Sequence, residues 1–269
     1  VHTTDPALRV AMMKSPRAAD SLRWLEKLCR AGIRVNTQLV LCPGYNDGPA
    51  LEKTLEDLGR LWPNLQSIAA WTRADSYGYV FPGKPEKAAE LAFRDASMNH
   101  RRNGVYGSMF MAAAISAAFA VDDPMDAVRI GLTEIPRGCL FAEGVRWALE
   151  QTPSNYQEAY DLTWQRYKGM FNGSAITNAL HVVMGLKIGA GDFTRTIGET
   201  VAMSGDNDCT GATAGSILGA VIGRQNIPEH WIAPFRGRMH IYLNGLPEYL
   251  DLEGVCARFE ALGRRFCRG

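Results

Sequence analysis

The feature that most constrains the fold is the loss of every strand pattern after residue 71. From there the chain runs in long stretches rich in alanine and glycine, with apolar residues at helical spacing. We predict helices over about 85–101, 104–121, 138–150, 155–168, 173–189, 210–225 and 250–265. The longest apolar runs, 109–121 and 212–222, are shorter than the roughly 20 residues that cross a membrane. We therefore expect buried helices of an all-α helical bundle and no membrane partner.

Residues 1–70 follow a different pattern. We predict a helix over 16–30 that ends before Gly32, a strand over 33–41, a turn-rich loop over 42–48, a leucine-faced helix over 51–61 and a strand over 65–70. Alternating helices and strands with short loops indicate a parallel α/β arrangement. The expected fold class is thus mainly α, with a short α/β segment resembling a partial barrel over 1–70 and a helical domain over 71–269.

Charge and cysteine content exclude several classes of protein. The formal net charge is +1, and no basic face suggests a nucleic-acid partner. The six cysteines include no C-x-x-C pair and do not resemble a disulfide framework, so we expect a reducing, cytoplasmic setting. No leader peptide suggests secretion, and the start at Val1 without a methionine favours either a fragment or an unusual start.

The sharpest motif is S-G-D-N-D-C-T-G-A-T-A-G-S-I-L-G-A, over residues 204–220. Asp206 and Asp208 are two residues apart at a predicted helix start, where their charges repel each other unless a cation lies between them. Hard oxygen ligands suit Mg²⁺ or Mn²⁺. The alternative is that both aspartates simply cap the helix. Glycines recur at intervals of four, which lets another element approach closely; they are Gly211, Gly215, Gly219 and Gly223.

This segment resembles the second acidic signature of the ADP-ribosylglycohydrolase family, D-x-D-[TS]-x-G-A. Four further segments also look like this family: R-A-D-S-Y-G-Y-V-F-P-G (73–83), E-L-A-F-R-D-A-S-M-N-H-R-R-N-G-V-Y-G (90–107), G-D-F-T-R-T-I-G-E-T-V (191–201) and N-I-P-E-H-W (226–231). The resemblance covers about residues 71–269. It implies an all-α bundle with two Mg²⁺ ions, and hydrolysis of the glycosidic bond that links ADP-ribose to a protein or small molecule.

The resemblance also assigns site residues. Asp206 and Asp208 match metal ligands, and Cys209 stands where the family usually has Thr or Ser. Thr210 would supply the missing hydroxyl if the loop shifts by one residue. The predicted substrate-binding residues are His100, Asn103, Tyr106, Gly107, Gly205 and Gly211.

Each of the remaining polar candidates also has a purely structural interpretation. His100 is either a pocket residue or a histidine hydrogen-bonded between packed helices. His181 lies in a strongly apolar helix, which favours core packing, and Asp95 more readily caps a helix or forms a salt bridge than catalyses. Residues 77–79 and 82–83 are expected to form a loop at the pocket rim or a simple turn.

The family's first acidic motif, of the Thr-Asp-Asp type, has no counterpart here. Asp122 and Asp123 are followed by Pro124, which predicts a capped helix start. We therefore expect an incomplete metal site on a truncated chain. Whether another chain supplies the missing ligands, and in what oligomeric state, stays open.

Residues 1–70 resemble the middle of a radical S-adenosylmethionine barrel, most closely over 42–48. That family holds its iron–sulfur cluster with a cysteine triplet, and Cys42 alone cannot do so. Radical chemistry is therefore not assigned. Instead of a hydrolase, the chain could be a non-catalytic helical module of the same fold, or a spurious join of two genes near residue 70.

Overall fold

The computed structural model describes residues 4–31, 49, 53–54, 66–170, 172–241 and 247–267. The chain divides into two compact units, residues 1–65 and 66–269. In the described part, none of the helices is both long and apolar enough to cross a membrane.

The first unit begins with two helices, α1 (Pro6–Met13) and α2 (Asp20–Arg30), joined by a 3-10 turn at Pro16–Ala19. The Asp5 carboxylate caps α1 by accepting a hydrogen bond from Leu8 N at 2.8 Å. Buried Arg9 ties the turn to α1, because its Nε donates to Ala18 O at 2.9 Å. The helix expected over 16–30 is therefore present, with a 3-10 first turn. Gly32, the strand 33–41, the loop 42–48 and most of the helix 51–61 lie outside the described residues.

The second unit is helical, as expected. Its helices are α3 (Asp75–Val80), α4 (Pro85–Ala96), α5 (Asn103–Ala118), α6 (Pro124–Gly131), α7 (Leu140–Glu150), α8 (Tyr156–Arg166), α9 (Ala175–Gly189), α10 (Phe193–Ala202), α11 (Asn207–Ile222), α12 (Glu229–Ile232) and α13 (Leu252–Cys267). Short 3-10 turns lie at Ile68–Ala70, Leu132–Glu134, Arg224–Asn226 and Ala233–Phe235. The seven predicted helices all appear as α4, α5, α7, α8, α9, α11 and α13.

Strands differ from the expectation in two places. The region expected to be all α contains an antiparallel hairpin, β1 (Arg238–His240) and β2 (Tyr249–Asp251). Each strand has three residues and little burial, so it is too short to show alternation. The strand expected over 65–70 is instead a 3-10 turn at Ile68–Ala70, capped by Ser67, with one isolated bridge between Ser67 and Ser174. Burial of Ile68 and Ala70 favours the turn, because it directs both into the core.

Helices α5 and α9 form the centre of the second unit. Both are buried on nearly all sides, and α5 carries a run of fully buried small residues at Ala112–Ala114. Small side chains bring neighbouring helices close. Helices α9 and α10 approach closely where Gly185 faces Thr200 and Gly189 faces Thr196. Helices α9, α10 and α11 pack against one another, and this packing places the start of α11 over the start of α9.

Candidate functional site

The loop before α11 is held in place by α9. Ser204 and Gly205 both have positive φ, at 68° and 84°, so the chain turns sharply into the helix. A Cβ on Gly205 would lie 2.7 Å from Asn178 Oδ1, which excludes a side chain there. The same Oδ1 accepts a hydrogen bond from Asp206 N at 3.0 Å. Buried Asn178 thus fixes the position of the first acidic residue.

Three potential metal ligands meet at this helix start. The carboxylates of Asp206 and Asp208 and the thiol of Cys209 each offer an atom within 4.8 Å of the other two. Asp206 occupies the cap position of α11, yet its side chain makes no capping hydrogen bond. Simple capping therefore does not account for Asp206. Within the described residues, no other set of three His, Cys, Asp or Glu side chains converges in this way.

The carboxylates of Asp206 and Asp208 influence each other's ionisation. Burial, followed by the hydrogen bond and charge of Asp208, raises the pKa of Asp206. The hydrogen bond with Asp206, followed by the backbone N–H of Cys209, lowers the pKa of Asp208. The two carboxylates therefore titrate as an interacting pair in which Asp208 loses its proton before Asp206 does. Burial, and then Asp206, raise the pKa of the Cys209 thiol to about 12.

The other predicted residues of α11 have backbone or packing roles. Thr210 is fully buried, and its hydroxyl lies 3.3 Å from Asn207 O, to which it donates. A Cβ on Gly211 would lie 2.7 Å from Val201 Cγ2, so this glycine lets α11 approach α10. A metal-binding role for Thr210 and substrate-binding roles for Gly205 and Gly211 stay predictions.

His100 lies in the turn between α4 and α5 and is only 6% exposed. Its Nδ1 is 2.7 Å from Asn99 Oδ1, and its Nε2 is 3.4 Å from Ser67 Oγ. Burial, and then the charge of Arg73, lower the pKa of His100 to about 4, so the ring is neutral at neutral pH. Arg73 also pairs with Asp95, which agrees with the salt bridge expected for that aspartate.

A shallow pocket of about 270 Å³ lies beside His100. It is lined by Phe93, Ser97, His100, Arg101, Arg102, Val105 and Tyr106. Two guanidinium groups and two aromatic rings suit an anionic ligand with a flat ring. The volume falls slightly below the range of about 300–1,000 Å³ typical of small-molecule sites, so the pocket fits part of a large ligand.

Asn103 and Gly107, predicted with His100, face the interior instead. Asn103 Oδ1 accepts from Phe141 N at 3.0 Å, and its Nδ2 donates to Gln66. A Cβ on Gly107 would lie 3.0 Å from the Phe141 ring and 3.1 Å from the Trp71 ring. Both positions therefore serve helix packing, and a substrate-binding role for them stays a prediction.

His181 lies beneath the acidic loop and is 4% exposed, in keeping with the core position expected for it. Neither ring nitrogen has a hydrogen bond of good geometry in the described structure, although the Ser204 backbone lies near enough to affect its pKa. Burial dominates and lowers that pKa to about 4. The neutral ring supports the loop from below: its Nδ1 is 3.4 Å from where a Gly205 Cβ would stand.

Sequence reasoning missed Asp75, the first residue of α3. Its Oδ2 accepts a hydrogen bond from Ser216 Oγ at 2.6 Å, and Ser216 Oγ lies 2.7 Å from Tyr79 OH. Its Oδ1 is buried and lacks a partner among the described residues. Burial raises the pKa of Asp75, and its charge contributes to the raised pKa of Cys209. Asp75 therefore adds a third carboxylate to this region of the protein.

The loop expected at the pocket rim over residues 77–79 is a helix in the structure. These residues belong to helix α3, and Tyr79 faces α11 through Ser216. A turn follows at Pro82 and Gly83, where Gly83 has a φ of 68°. Asp122 and Asp123 match their prediction, because Asp123 caps α6 by accepting from Met125 N at 2.8 Å.

Comparison with known proteins agrees with the mainly helical fold. A family model described as ADP-ribosylglycohydrolase matches residues 13–261. The chain belongs to the ADP-ribosylglycohydrolase family. No curated protein matches it significantly. The family match begins inside the segment that we compared with a radical S-adenosylmethionine barrel, and that second resemblance stays a prediction.

Members of the ADP-ribosylglycohydrolase family typically depend on a divalent metal, and the cluster on α11 fits that requirement only in part. Two carboxylates are suitable ligands for Mg²⁺. The thiol is not, because sulfur is a soft donor and Mg²⁺ requires hard oxygen ligands in near-octahedral geometry. The donor set therefore suits a divalent cation but does not match Mg²⁺ in particular.

Proposed function

We propose that this chain hydrolyses the glycosidic bond between ADP-ribose and a modified protein or small molecule, with a divalent cation. The observation that carries the proposal is the convergence of Asp206, Asp208 and Cys209 at the start of α11 in a chain of this family. Within the family's chemistry, a bound divalent cation holds substrate oxygens and lowers the pKa of water. We expected Mg²⁺ or Mn²⁺ from the resemblance.

The residues around the cluster are suited to hold it in place. Asn178 fixes the backbone of Asp206, and Gly205 allows the loop to lie against α9. The start of α11 also presents the positive end of the helix dipole to an anion. Cation and pyrophosphate would therefore be held at one helix terminus.

The His100 pocket is our candidate for another part of ADP-ribose. Arg101 and Arg102 give it positive charge for phosphate, and the rings of Phe93 and Tyr106 suit adenine. The pocket and the cluster share a scaffold. Ser67 contacts His100 and is bridged to Ser174, the residue that caps α9, and α9 carries Asn178. The first turn of α9 therefore contacts the supports of both regions, through Ser174 and Asn178.

Release of ADP-ribose from an ADP-ribosylated peptide tests the proposal. The purified chain is incubated with peptides modified on arginine or serine, with each divalent cation or with a chelator. Asp208→Asn removes a ligand without changing the shape of the side chain. We expect it to lower turnover by roughly 100-fold or more, because loss of even an outer-shell partner often costs about 10–100-fold.

Asp122→Asn is the matched control, because Asp122 is also exposed beside a helix start but lies outside the cluster. It should leave turnover unchanged. Equal losses in both variants would contradict a specific role for the cluster. If the folded wild-type chain released no ADP-ribose with any cation, it would be a non-catalytic helical module of the family.

A further inference from the structure

We infer that Cys209 Sγ binds the cation directly, so that this site takes a thiophilic divalent ion of the Zn²⁺ or Co²⁺ type. The inference rests on the proposed function in one respect, since it names the cation of the same site. It replaces the Mg²⁺ expected from the family resemblance with an ion that accepts both carboxylate and thiolate ligands.

The geometry suits one ion bound by all three side chains. Zinc lies about 2.0–2.2 Å from carboxylate oxygen and about 2.3 Å from thiolate sulfur, so the ligand atoms around a tetrahedral ion lie roughly 3.3–3.8 Å apart. The ligand atoms of Asp206, Asp208 and Cys209 lie within 4.8 Å of one another. To bind one ion, these atoms would have to move together by at most about 1.5 Å. Coordination requires the thiolate, and the proton of Sγ–H passes to solvent as the sulfur binds.

The surrounding charge calls for a cation. The carboxylates of Asp206 and Asp208 each offer an oxygen within 4.8 Å of the Cys209 thiol. Among the described residues, none of the salt bridges involves Asp206, Asp208 or Asp75. Asp75 Oδ1 is also buried and has no hydrogen-bond partner among the described residues. A divalent ion would neutralise this region and stabilise the thiolate, whereas a neutral ligand would do neither.

The structure also explains why sulfur is available at this point. Cys209 follows Asp208 directly in the first turn of α11, and its sulfur lies within 4.8 Å of an oxygen of each carboxylate. Its side chain is half-buried, which leaves the sulfur accessible to an ion but shielded from bulk solvent. Ser or Thr here would offer a hard oxygen and favour Mg²⁺.

Cobalt(II) absorption tests direct sulfur coordination, because a Co²⁺–thiolate bond gives a near-ultraviolet charge-transfer band that Co²⁺–oxygen bonds lack. The full chain, stripped of metal with a chelator, is titrated with CoCl₂. We expect a saturable band in the wild type and in Cys139→Ser and Cys256→Ser, the matched thiol controls. Cys209→Ser and Cys209→Thr should both lack the band, and circular dichroism should show both folded.

Cation preference gives a second readout. Competition with Mg²⁺ and Cd²⁺ is measured for wild type and Cys209→Ser by isothermal titration. Replacing sulfur with oxygen should shift the Cd²⁺-to-Mg²⁺ affinity ratio by roughly tenfold or more towards Mg²⁺. An unchanged ratio would overturn the inference.

The outcomes separate this inference from the proposed function. Co²⁺ binding without a charge-transfer band, together with cation-dependent release of ADP-ribose, would overturn sulfur ligation and leave a carboxylate-only hydrolase site. A band that depends on Cys209 in a chain that releases no ADP-ribose would support the cation site and contradict hydrolysis. Absence of binding by any of the tested ions would overturn the cation site itself.

Discussion

The Cys209 thiol lies among carboxylates that oppose its ionisation. Burial, and then Asp206, raise its pKa to about 12, so the thiolate fraction at neutral pH is very small. Because the thiolate is the nucleophile, we expect metal-free Cys209 to react with iodoacetamide at least about tenfold more slowly than exposed Cys256. Pulse labelling and peptide mass spectrometry measure both rates in one sample. Labelling of Cys209 as fast as Cys256 would contradict this account of the cluster.

We expect His100 to make the free energy of unfolding depend on pH. Its folded pKa of about 4 lies below the ordinary value of 6.5, so the unfolded chain binds its proton first as the pH falls. Stability is thus lost between pH 6.5 and 4, by about 1.4 kcal/mol per pH unit at most. His100→Gln should reduce the loss measured by urea unfolding between pH 7 and pH 5 by about 1–2 kcal/mol. An equal loss in the variant would mean that the pKa of His100 is the same in the folded and unfolded chain.

The spacing of residues along the sequence predicts some of the residues at the candidate site but not others. Asp206 and Asp208 are visible in the sequence because both ligands lie in one short segment. Asn178 was not predicted, because it meets Asp206 only through the packing of α9 on α11, across a separation of 28 residues. Asp75 and Ser216 are 141 residues apart, and neither segment alone indicates their contact.

Among the helices, sequence patterns were most informative where the apolar run was long. Helices α5, α9 and α11 were predicted within a few residues, since each has many small apolar residues. Helix α10 was not among the helices predicted from spacing, because its helical stripe is short and lies among polar threonines, although residues 191–201 were among the segments that resemble the family. The hairpin of β1 and β2 was missed for a related reason, since three-residue strands carry too little pattern.

The contact between α9 and α10 depends on glycine. An added Cβ on Gly185 would lie 1.8 Å from Thr200 Oγ1 and 2.9 Å from Thr200 Cβ. We therefore expect Gly185→Ala to push the helices apart and to lower the free energy of unfolding by about 1–3 kcal/mol. The measurement is urea unfolding followed by circular dichroism.

Gly198 provides the matched control on α10. No atom lies within 4 Å of the position of an added Cβ there. Gly198→Ala should raise the free energy of unfolding by roughly 0.5–1 kcal/mol, because alanine favours the helix and restricts the unfolded chain. If both variants were destabilised equally, helix contact would not be the reason for glycine at residue 185.

For the molecule as a whole, the sequence predicted a mainly α fold and a change of character near residue 70. The structure divides the chain between residues 65 and 66, and the family match crosses that division, from 13 to 261. The apolar pattern could indicate helices, but not which of them share a core. That arrangement depends on how large side chains fit together. The fully buried ring of Phe141, for example, packs against Phe110 of α5 and against Trp71.

Ligand binding by the intact chain can be measured as a shift in its thermal unfolding. A ligand at 100 times its dissociation constant stabilises the folded state by about 2.7 kcal/mol. We expect ADP-ribose to raise the melting temperature, and to raise it further with a divalent cation that the Asp206–Asp208–Cys209 cluster binds. Asp208→Asn should abolish the additional effect of the cation while leaving the protein folded.

Arg102→Gln distinguishes the pocket from the cluster in the same assay. Arg102 lines the pocket and is exposed, so its replacement should weaken the response to ADP-ribose without changing the melting temperature of the free protein. Arg129→Gln, an exposed arginine of α6 that pairs with Asp126, is the control. A full response in Arg102→Gln, together with its loss in Asp208→Asn, would place ADP-ribose at the start of α11 alone. In that case the guanidinium groups of Arg101 and Arg102 would not bind ADP-ribose.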